Sequence, residues 1–404
     1  MDFGSWRPRR APVHQHYASQ TARGSGHSLW RSPLTHHRSY LSKRGGVGWL
    51  RRLADSAAGA RERGAGPIGI LGGVTRRYVV FGAGAIGGVM AVLLDRAGLE
   101  VAVIARGAHL AAIRERGLTL RTPEADTRVR VPAARSAGEI RWRDDDVALL
   151  AVKSQDTDGA IHDLAAAAPP SLVVVCAQNG VANERTALRR FGNTLGMLVI
   201  CPATHLAPGV VEAESVPCPG IMDVGRFPEG VDPGAEEVAA ALRAATFDSR
   251  AVPDVMRWKY AKLLSNLGNA VEAVCGAQAE NGELGEVVRR EGKAVLRAAG
   301  IAHASPAEDA ARRGDLISIR PIEGRRRIGS SSWQSLARAA GSIEADYLNG
   351  EIVLLGRLHG VPAPANELIQ RLANRMAQER LLPGSMGEGE VLAALRAAGI
   401  RPAG

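Results

Sequence analysis

A glycine-rich turn bounded by two apolar runs constrains this chain more than any other feature. Gly82-Ala83-Gly84-Ala85-Ile86-Gly87 directly follows Tyr78-Val79-Val80-Phe81 and directly precedes Val89-Met90-Ala91-Val92-Leu93-Leu94. A GxGxxG placed between a β-rich run and a helical run predicts a strand, a tight turn and a helix that together hold a dinucleotide. The first glycine permits the turn, the second lets the backbone approach a pyrophosphate, and the third lets the helix pack closely on the strand. The helix N-terminus adds unpaired N–H groups and partial positive charge. Gly82, Gly84, Ala85, Ile86 and Gly87 are the candidate cofactor residues of this turn.

The next β-rich run, Glu100-Val101-Ala102-Val103-Ile104-Ala105, ends in Arg106-Gly107. A site for NADH usually ends this strand in Asp or Glu, which accepts from the ribose 2′-OH. Here no carboxylate stands in that place. A guanidinium can bind a 2′-phosphate through two parallel hydrogen bonds, whereas a carboxylate would repel it. Arg106 therefore favours NADPH; a solvated loop arginine is the plainer alternative.

The net charge of +10 over 404 residues would suggest nucleic acid, but its distribution argues against such a partner. Residues 1–77 hold 14 Lys and Arg against 3 Asp and Glu, and the remainder is close to neutral. Residues 1–76 are rich in Arg, Gly, Ser and His without a regular apolar pattern and read as a disordered basic extension. They lack a secretory apolar segment and bear a weak likeness to a transit peptide. The favoured reading is a translation start near Val74, which makes residues 1–73 dispensable. A tail that touches nucleic acid or a membrane is the alternative. Cys176, Cys201, Cys218 and Cys275 are scattered, with neither a CxxC nor a His cluster, so no metal site is expected. That usage fits a reducing compartment, the cytoplasm. No stretch is apolar and long enough to span a bilayer.

From Arg77 to about residue 251, β-rich and helical runs alternate. Val147–Val152, Leu172–Cys176 and Leu195–Ile200 are continuous apolar runs, suited to parallel strands buried on both faces. The alternation predicts a Rossmann-type, doubly wound α/β domain over residues 77–251. After Val252 strand signals nearly vanish, and residues 255–275, 283–299, 331–359 and 364–380 read as helices. A mostly α-helical C-terminal domain over 252–380 follows, then a small helical tail over 381–404. A cleft between the two domains is the default place for a small substrate.

Two loops follow strand ends of the first domain, Lys153-Ser154-Gln155 and Gln178-Asn179-Gly180. Ligands of such sheets bind at the carboxyl ends of strands, so both should face the cofactor. In the second domain, Trp258, Lys262 and Asn266 are four apart and share one helix face. Lys262 and Asn266 make a polar patch on an otherwise apolar helix, and a buried lysine there needs a partner. Glu344 opens a later helix and is a candidate partner, although a carboxylate early in a helix also has an ordinary dipole role. Arg325-Arg326-Arg327 reads as a solvated loop.

These residues together resemble the ketopantoate reductase (2-dehydropantoate 2-reductase) family from about Arg77 to Arg380. The motifs are GAGAIGG at 82–88, VKS at 152–154, QNG at 178–180, KLLSN at 262–266, SSSWQ at 330–334 and EADYLNG at 344–350, in family order. The resemblance implies NADPH-dependent reduction of a small 2-oxo acid, in pantothenate and coenzyme A synthesis. It implies that Lys262 donates a proton to the ketone oxygen and that Glu344 orients that lysine near the cofactor. Asn179, Asn266 and Ser331 would bind substrate, and Lys153 and Asn179 would line the NADPH site. Three departures stand out. The family often has a second helix asparagine one turn after the first; position 270 is Ala270, and Asn269, one residue early, is taken as its substrate-binding substitute. Ala182 replaces a family glycine, and the segment from Ser331 to Glu344 is one residue longer. Those departures motivate a second reading, the same chemistry on another small 2-oxo acid. A third is a non-catalytic NADPH-binding regulator, against which the intact Lys262, Asn266 and Glu344 argue. A homodimer is compatible with a helical second domain of this kind.

Overall fold

The strand predicted before the glycine turn is β1 (Arg77–Phe81), and it leads into α1 (Ala85–Arg96), β2 (Glu100–Ile104) and α2 (Gly107–Arg116). The computed structural model describes residues 76–324 and 329–397. The expectations for residues 1–75, for Arg325-Arg326-Arg327 and for 398–404 lie outside the described residues. A hairpin of β3 (Leu118–Arg121) and β4 (Asp126–Val129) and the short β5 (Ala133–Ala134) precede β6 (Val147–Leu150) and α3 (Thr157–Ala167). Then come β7 (Val173–Cys176), α4 (Asn183–Leu188), β8 (Thr194–Met197), β9 (Ala203–Ala207), β10 (Val210–Ala213), β11 (Ser215–Pro217), β12 (Val224–Arg226) and α5 (Pro233–Ala244). The rest is nearly all helical: α6 (Val255–Cys275), α7 (Glu283–Ala298), α8 (Pro306–Arg313), β13 (Ile317–Ile319), α9 (Ser331–Ala337), α10 (Asn349–His359), α11 (Pro364–Gln378) and α12 (Glu388–Ala397).

The main sheet has seven strands in the order β12-β8-β7-β6-β1-β2-β5. All neighbours are parallel except the edge pair β12–β8, which is antiparallel. The strand order reverses at β1, between β2 and β6, so a crevice opens beyond the carboxyl ends of β1 and β6. The apolar runs read from the sequence form the sheet interior, with all four residues of β6 buried. The Rossmann-type domain and the helical C-terminal region are thus observed in the predicted order.

A second sheet, β4-β3-β10-β9, was not anticipated. Its strands carry a weak apolar signal: β4 reads Asp126-Thr127-Arg128-Val129 and buries only Val129. It packs on α1, which also lies on β1 and β2. A helix covered on two sides has no solvent face, which explains why Gly87 through Leu94 are all buried and the run is apolar throughout.

The helical half is organised around the 21-residue α6. Leu263, Leu267, Ala270, Val271 and Val274 share one core with Val288 and Val295 of α7, Ile352 of α10 and Ile369 of α11. Two expectations need correction here. Residues 331–359 are not one helix: α9 stops at Ala337, a single 3-10 turn spans Glu344–Tyr347, and α10 begins at Asn349. Positive φ angles at Ala339 (+49°) and Gly341 (+75°) break the helical path. A strand does occur after Val252, since β13 pairs antiparallel with β11. The described part of the tail docks firmly: α12 buries Val391, Leu392 and Leu395 in the helical core, and Glu388 accepts from the Leu284 N–H.

Candidate active site

The crevice at the strand reversal continues into a cleft of about 580 Å³ between the main sheet and the helices. Gly82 leaves β1 with φ +102°, and a Cβ there would lie 2.9 Å from the Val152 nitrogen. At Gly87 a Cβ would lie 2.1 Å from the Gly82 carbonyl oxygen, so only glycine allows α1 to approach the turn. A Cβ at Gly84 would meet no protein atom within 4 Å, because this position borders the cleft. Gly84 is also the N-cap of α1 and supplies no side-chain acceptor, so first-turn N–H groups beside Ala85 and Ile86 are left for an anion.

The turn is braced from behind by two histidines that sequence reasoning missed. His109 Nδ1 accepts from the Gly209 N–H at 2.9 Å, which makes Nε2 the protonated atom of a neutral ring; that atom donates to the Ala83 carbonyl at 2.6 Å. His205 Nε2 lies 3.1 Å from the same Nδ1, with the rings edge to face. Burial, with the neighbouring His109 and Arg338, pushes the His205 pKa down to about 4. Both rings border the cleft.

Arg106 borders the cleft and also a shallow hollow beside the end of β2, which Arg114, Arg135 and Ser136 line as well. Arg114 is partly committed to Glu139 at 2.9 Å.

The two predicted loops meet at the carboxyl ends of β6 and β7. Glu344, from the 3-10 turn of the helical half, accepts from the Ser154 N–H at 3.1 Å and from its hydroxyl at 3.2 Å. Lys153 Nζ donates to the Ser335 hydroxyl at 2.5 Å. Burial lowers the Lys153 pKa, and the Glu344 carboxylate opposes that shift. Behind them Gln178 Nε2 donates to the Val152 carbonyl and to Thr157 Oγ1, both at 2.8 Å. Asn183 Nδ2 donates to the Asn179 carbonyl at 2.9 Å. Together these bonds hold the Asn179 turn against the Lys153 loop.

The third wall is α6. Lys262 and Asn266, two of the three residues of the predicted face, border the cleft, and so does Asn269, which was not assigned to that face. Asn266 is 4% exposed and its Nδ2 has no hydrogen-bond partner, and the same holds for the buried Oδ1 of Asn179. The substitute asparagine is on the right face: residues three apart on a helix are neighbours, as are residues four apart. Ser331 opens α9 beside them. Glu272 Oε2 accepts from the Ser330 N–H at 2.7 Å, and the Ser330 hydroxyl donates to the Asn269 carbonyl at 3.3 Å, so α6 sets the position of that serine. Trp258 does not reach the cleft; it packs beside Leu198, Ile200 and Ile221.

Sequence reasoning also passed over Lys259. Its side chain is 3% exposed, and Nζ lies 2.7 Å from Oε1 of the fully buried Glu184. The same Nζ donates to the carbonyls of Gln178 at 2.7 Å and Met197 at 3.1 Å. The signal was present: Val255, Lys259 and Leu263 are four apart and continue one buried face, so this lysine occupies a core position.

Among the described residues no group of three metal-ligating side chains occurs, and no helix is long and apolar enough to cross a membrane.

Known proteins agree with this geometry. Residues 78–229 match the family model described as ketopantoate reductase PanE/ApbA, and residues 254–377 match that of its C-terminal part. A 2-dehydropantoate 2-reductase of Pyrococcus horikoshii is 30% identical over 318 residues, covering 76% of this chain and 99% of that protein. The crystal structure of a PanE/ApbA family ketopantoate reductase from Ralstonia eutropha shares 30% identity at a TM-score of 0.63, covering 75% of this chain and 99% of that one. D-mandelate dehydrogenase in a ternary structure with NADH and anilino(oxo)acetate has the same fold, with a TM-score of 0.65 at 19% identity over 75% of this chain and 99% of that one. With the glycine turn, the Lys262 helix face and the Glu344 turn gathered on one cleft, and with that coverage by relatives, the chain belongs to the ketopantoate reductase family.

Proposed function

We propose that this chain reduces 2-dehydropantoate (ketopantoate) to pantoate with NADPH, a step of pantothenate and coenzyme A synthesis. One observation carries the reading: Lys262 shares its cleft with Asn179 and Asn266, whose Oδ1 and Nδ2 are buried amide atoms without protein partners. Buried polar atoms are nearly always paired, so a polar ligand is the natural complement. Asn266 Nδ2 is a donor for a carboxylate or hydroxyl oxygen, and Asn179 Oδ1 is an acceptor for a hydroxyl. The glycine turn fits a dinucleotide, since a Cβ at Gly84 would project toward the cleft, where a pyrophosphate needs close backbone approach.

A bound nicotinamide supplies the hydride for the ketone carbon. Negative charge then grows on the ketone oxygen, where the Lys262 ammonium stabilises it and gives it a proton from Nζ. Glu344, anchored on Ser154, orients that lysine. Asn266, Asn269 and Ser331 hold the substrate, and Lys153 and Asn179 serve the cofactor.

Arg106 at the end of β2 supports NADPH over NADH, with Arg114 and Arg135 lining the same hollow, because a 2′-phosphate needs cations where NADH needs a carboxylate. Arg106→Asp should weaken NADPH by about 100-fold, the scale of a lost charge-assisted hydrogen bond plus a new repulsion, and change NADH affinity only a few-fold. Titration of nicotinamide fluorescence checks this; equal losses for both cofactors would assign Arg106 another role.

A second reading, another small 2-oxo acid, is motivated by Ala270. Asn269 borders the cleft, and Ala182 has helical angles (φ −90°, ψ −20°) that need no glycine, which supports the ketopantoate reading over the second one. NADPH oxidation measured against a panel of 2-oxo acids tests both readings. Ketopantoate should give the highest kcat/KM; a higher value for another acid would assign the second reading, and no turnover with any would leave a regulator.

A further inference from the structure

We propose that Arg338 clamps the pyrophosphate of the bound dinucleotide from the helical wall of the cleft. The proposal rests on the cofactor reading above. Arg338 follows the last residue of α9, whose position across the cleft is set from two sides. Lys153 Nζ donates to Ser335 Oγ at 2.5 Å, and Gln334 Nε2 donates to Thr204 Oγ1 of β9 at 3.3 Å. Arg338 lies four residues after Gln334 and three after Ser335, so it extends the face those two residues present. It borders the cleft, as do Lys153 and His205.

The surroundings identify which end of the cleft this is. His205 is bonded to His109, and His109 donates to the Ala83 carbonyl inside the glycine turn. Arg338 shares the cleft with His205 and Lys153 and its charge acts on both, which places it between the histidine pair behind the glycine turn and the loop after β6. Arg338 is an exposed side chain at the edge of the cleft, and among the described residues no carboxylate pairs with it. An unpaired guanidinium on the rim of the cleft is free to meet an arriving anion without first breaking an ion pair. Its fork matches two phosphate oxygens. Glu344, the nearby carboxylate, is already bonded to Ser154.

Three anions could meet this arginine: the pyrophosphate, the 2′-phosphate and the substrate carboxylate. The pyrophosphate is common to NADPH, NADH and ADP-ribose, which separates it from the others. The experiment measures the affinity of wild-type chain, Arg338→Ala and Arg338→Lys for these three ligands, together with KM and kcat for ketopantoate at saturating NADPH. Arg338→Ala should weaken all three ligands by a similar factor, about tenfold or more for a lost charge-assisted bond. The cofactor affinities should fall by more than KM for ketopantoate rises, and Arg338→Lys should recover part of the affinity as a point charge. A loss confined to NADPH would reassign Arg338 to the 2′-phosphate. A raised KM with unchanged cofactor affinity would reassign it to the substrate. Unchanged values throughout would remove the clamp while leaving the cofactor reading intact. If the wild-type chain bound none of the three ligands, that reading itself would fail.

Discussion

Lys262→Ala should lower kcat for ketopantoate reduction by about 10²–10⁴-fold, the usual range for a positioned general acid. The affinity for NADPH should change by no more than about threefold, because the function proposed above assigns the cofactor mainly to the glycine turn, Arg106 and Lys153. The expectation follows from the reaction. Hydride addition to a ketone concentrates negative charge on one oxygen, and a cation fixed beside that oxygen stabilises it without reorganising. Lys262 borders the cleft together with Asn266 and Asn269, so one small molecule held there would be within reach of the ammonium and both amides. Lys262→Arg separates two contributions. It keeps a positive charge but does not release a proton near neutrality, so recovery of most activity by arginine would mean that charge, not proton donation, is what Lys262 provides. Single-turnover kinetics give the chemical step, and fluorescence titration gives the cofactor affinity. Turnover within tenfold of wild type in Lys262→Ala would remove Lys262 from the reaction.

What the chain disclosed before its structure was known depended on how strongly each element is marked. The glycine turn and the strands β1, β2, β6, β7 and β8 were legible because burial on both faces demands unbroken apolar runs. The sheet of β3, β4, β9 and β10 was not, because one-sided burial leaves short mixed segments such as Asp126-Thr127-Arg128-Val129. The break between α9 and α10 was hidden for a related reason: Ala339 adopts φ +49°, and nothing in an alanine signals that conformation. Among the site residues, Lys262 and Asn266 could be grouped because helix periodicity places them together, while Asn269 came from the resemblance. Lys153, Asn179 and Glu344 were placed by strand-end position and by resemblance, and the structure brings all three to the cleft. His109, His205 and Arg338 carried no local signal. They converge through the second sheet and through α9, and long-range packing of this sort has no periodic trace in a sequence.

Lys259→Met should produce the largest loss of stability of any single substitution considered, about 3–5 kcal/mol, the usual cost of breaking a buried ion pair from one side. The methionine fits the space but leaves the Glu184 carboxylate, fully buried, without its 2.7 Å partner. It also strips the donor from the Gln178 and Met197 carbonyls, at the carboxyl ends of β7 and β8. At the usual ratio for chains of this size the melting temperature should fall by about 10 °C. Replacing both partners, Lys259→Met with Glu184→Leu, should restore much of that loss, because no charge is then left alone in the core. The double variant still lacks the bonds to Gln178 and Met197, and Gln178 immediately precedes Asn179. Recovery of melting temperature without recovery of KM would show that Lys259 has two roles, one in the core and one in positioning the Asn179 turn. A full recovery of both would confine it to the core. If Lys259→Met melted within about 2 °C of wild type, the pair would contribute little beyond its own desolvation cost, and the link between α6 and the main sheet would have to rest on apolar packing alone.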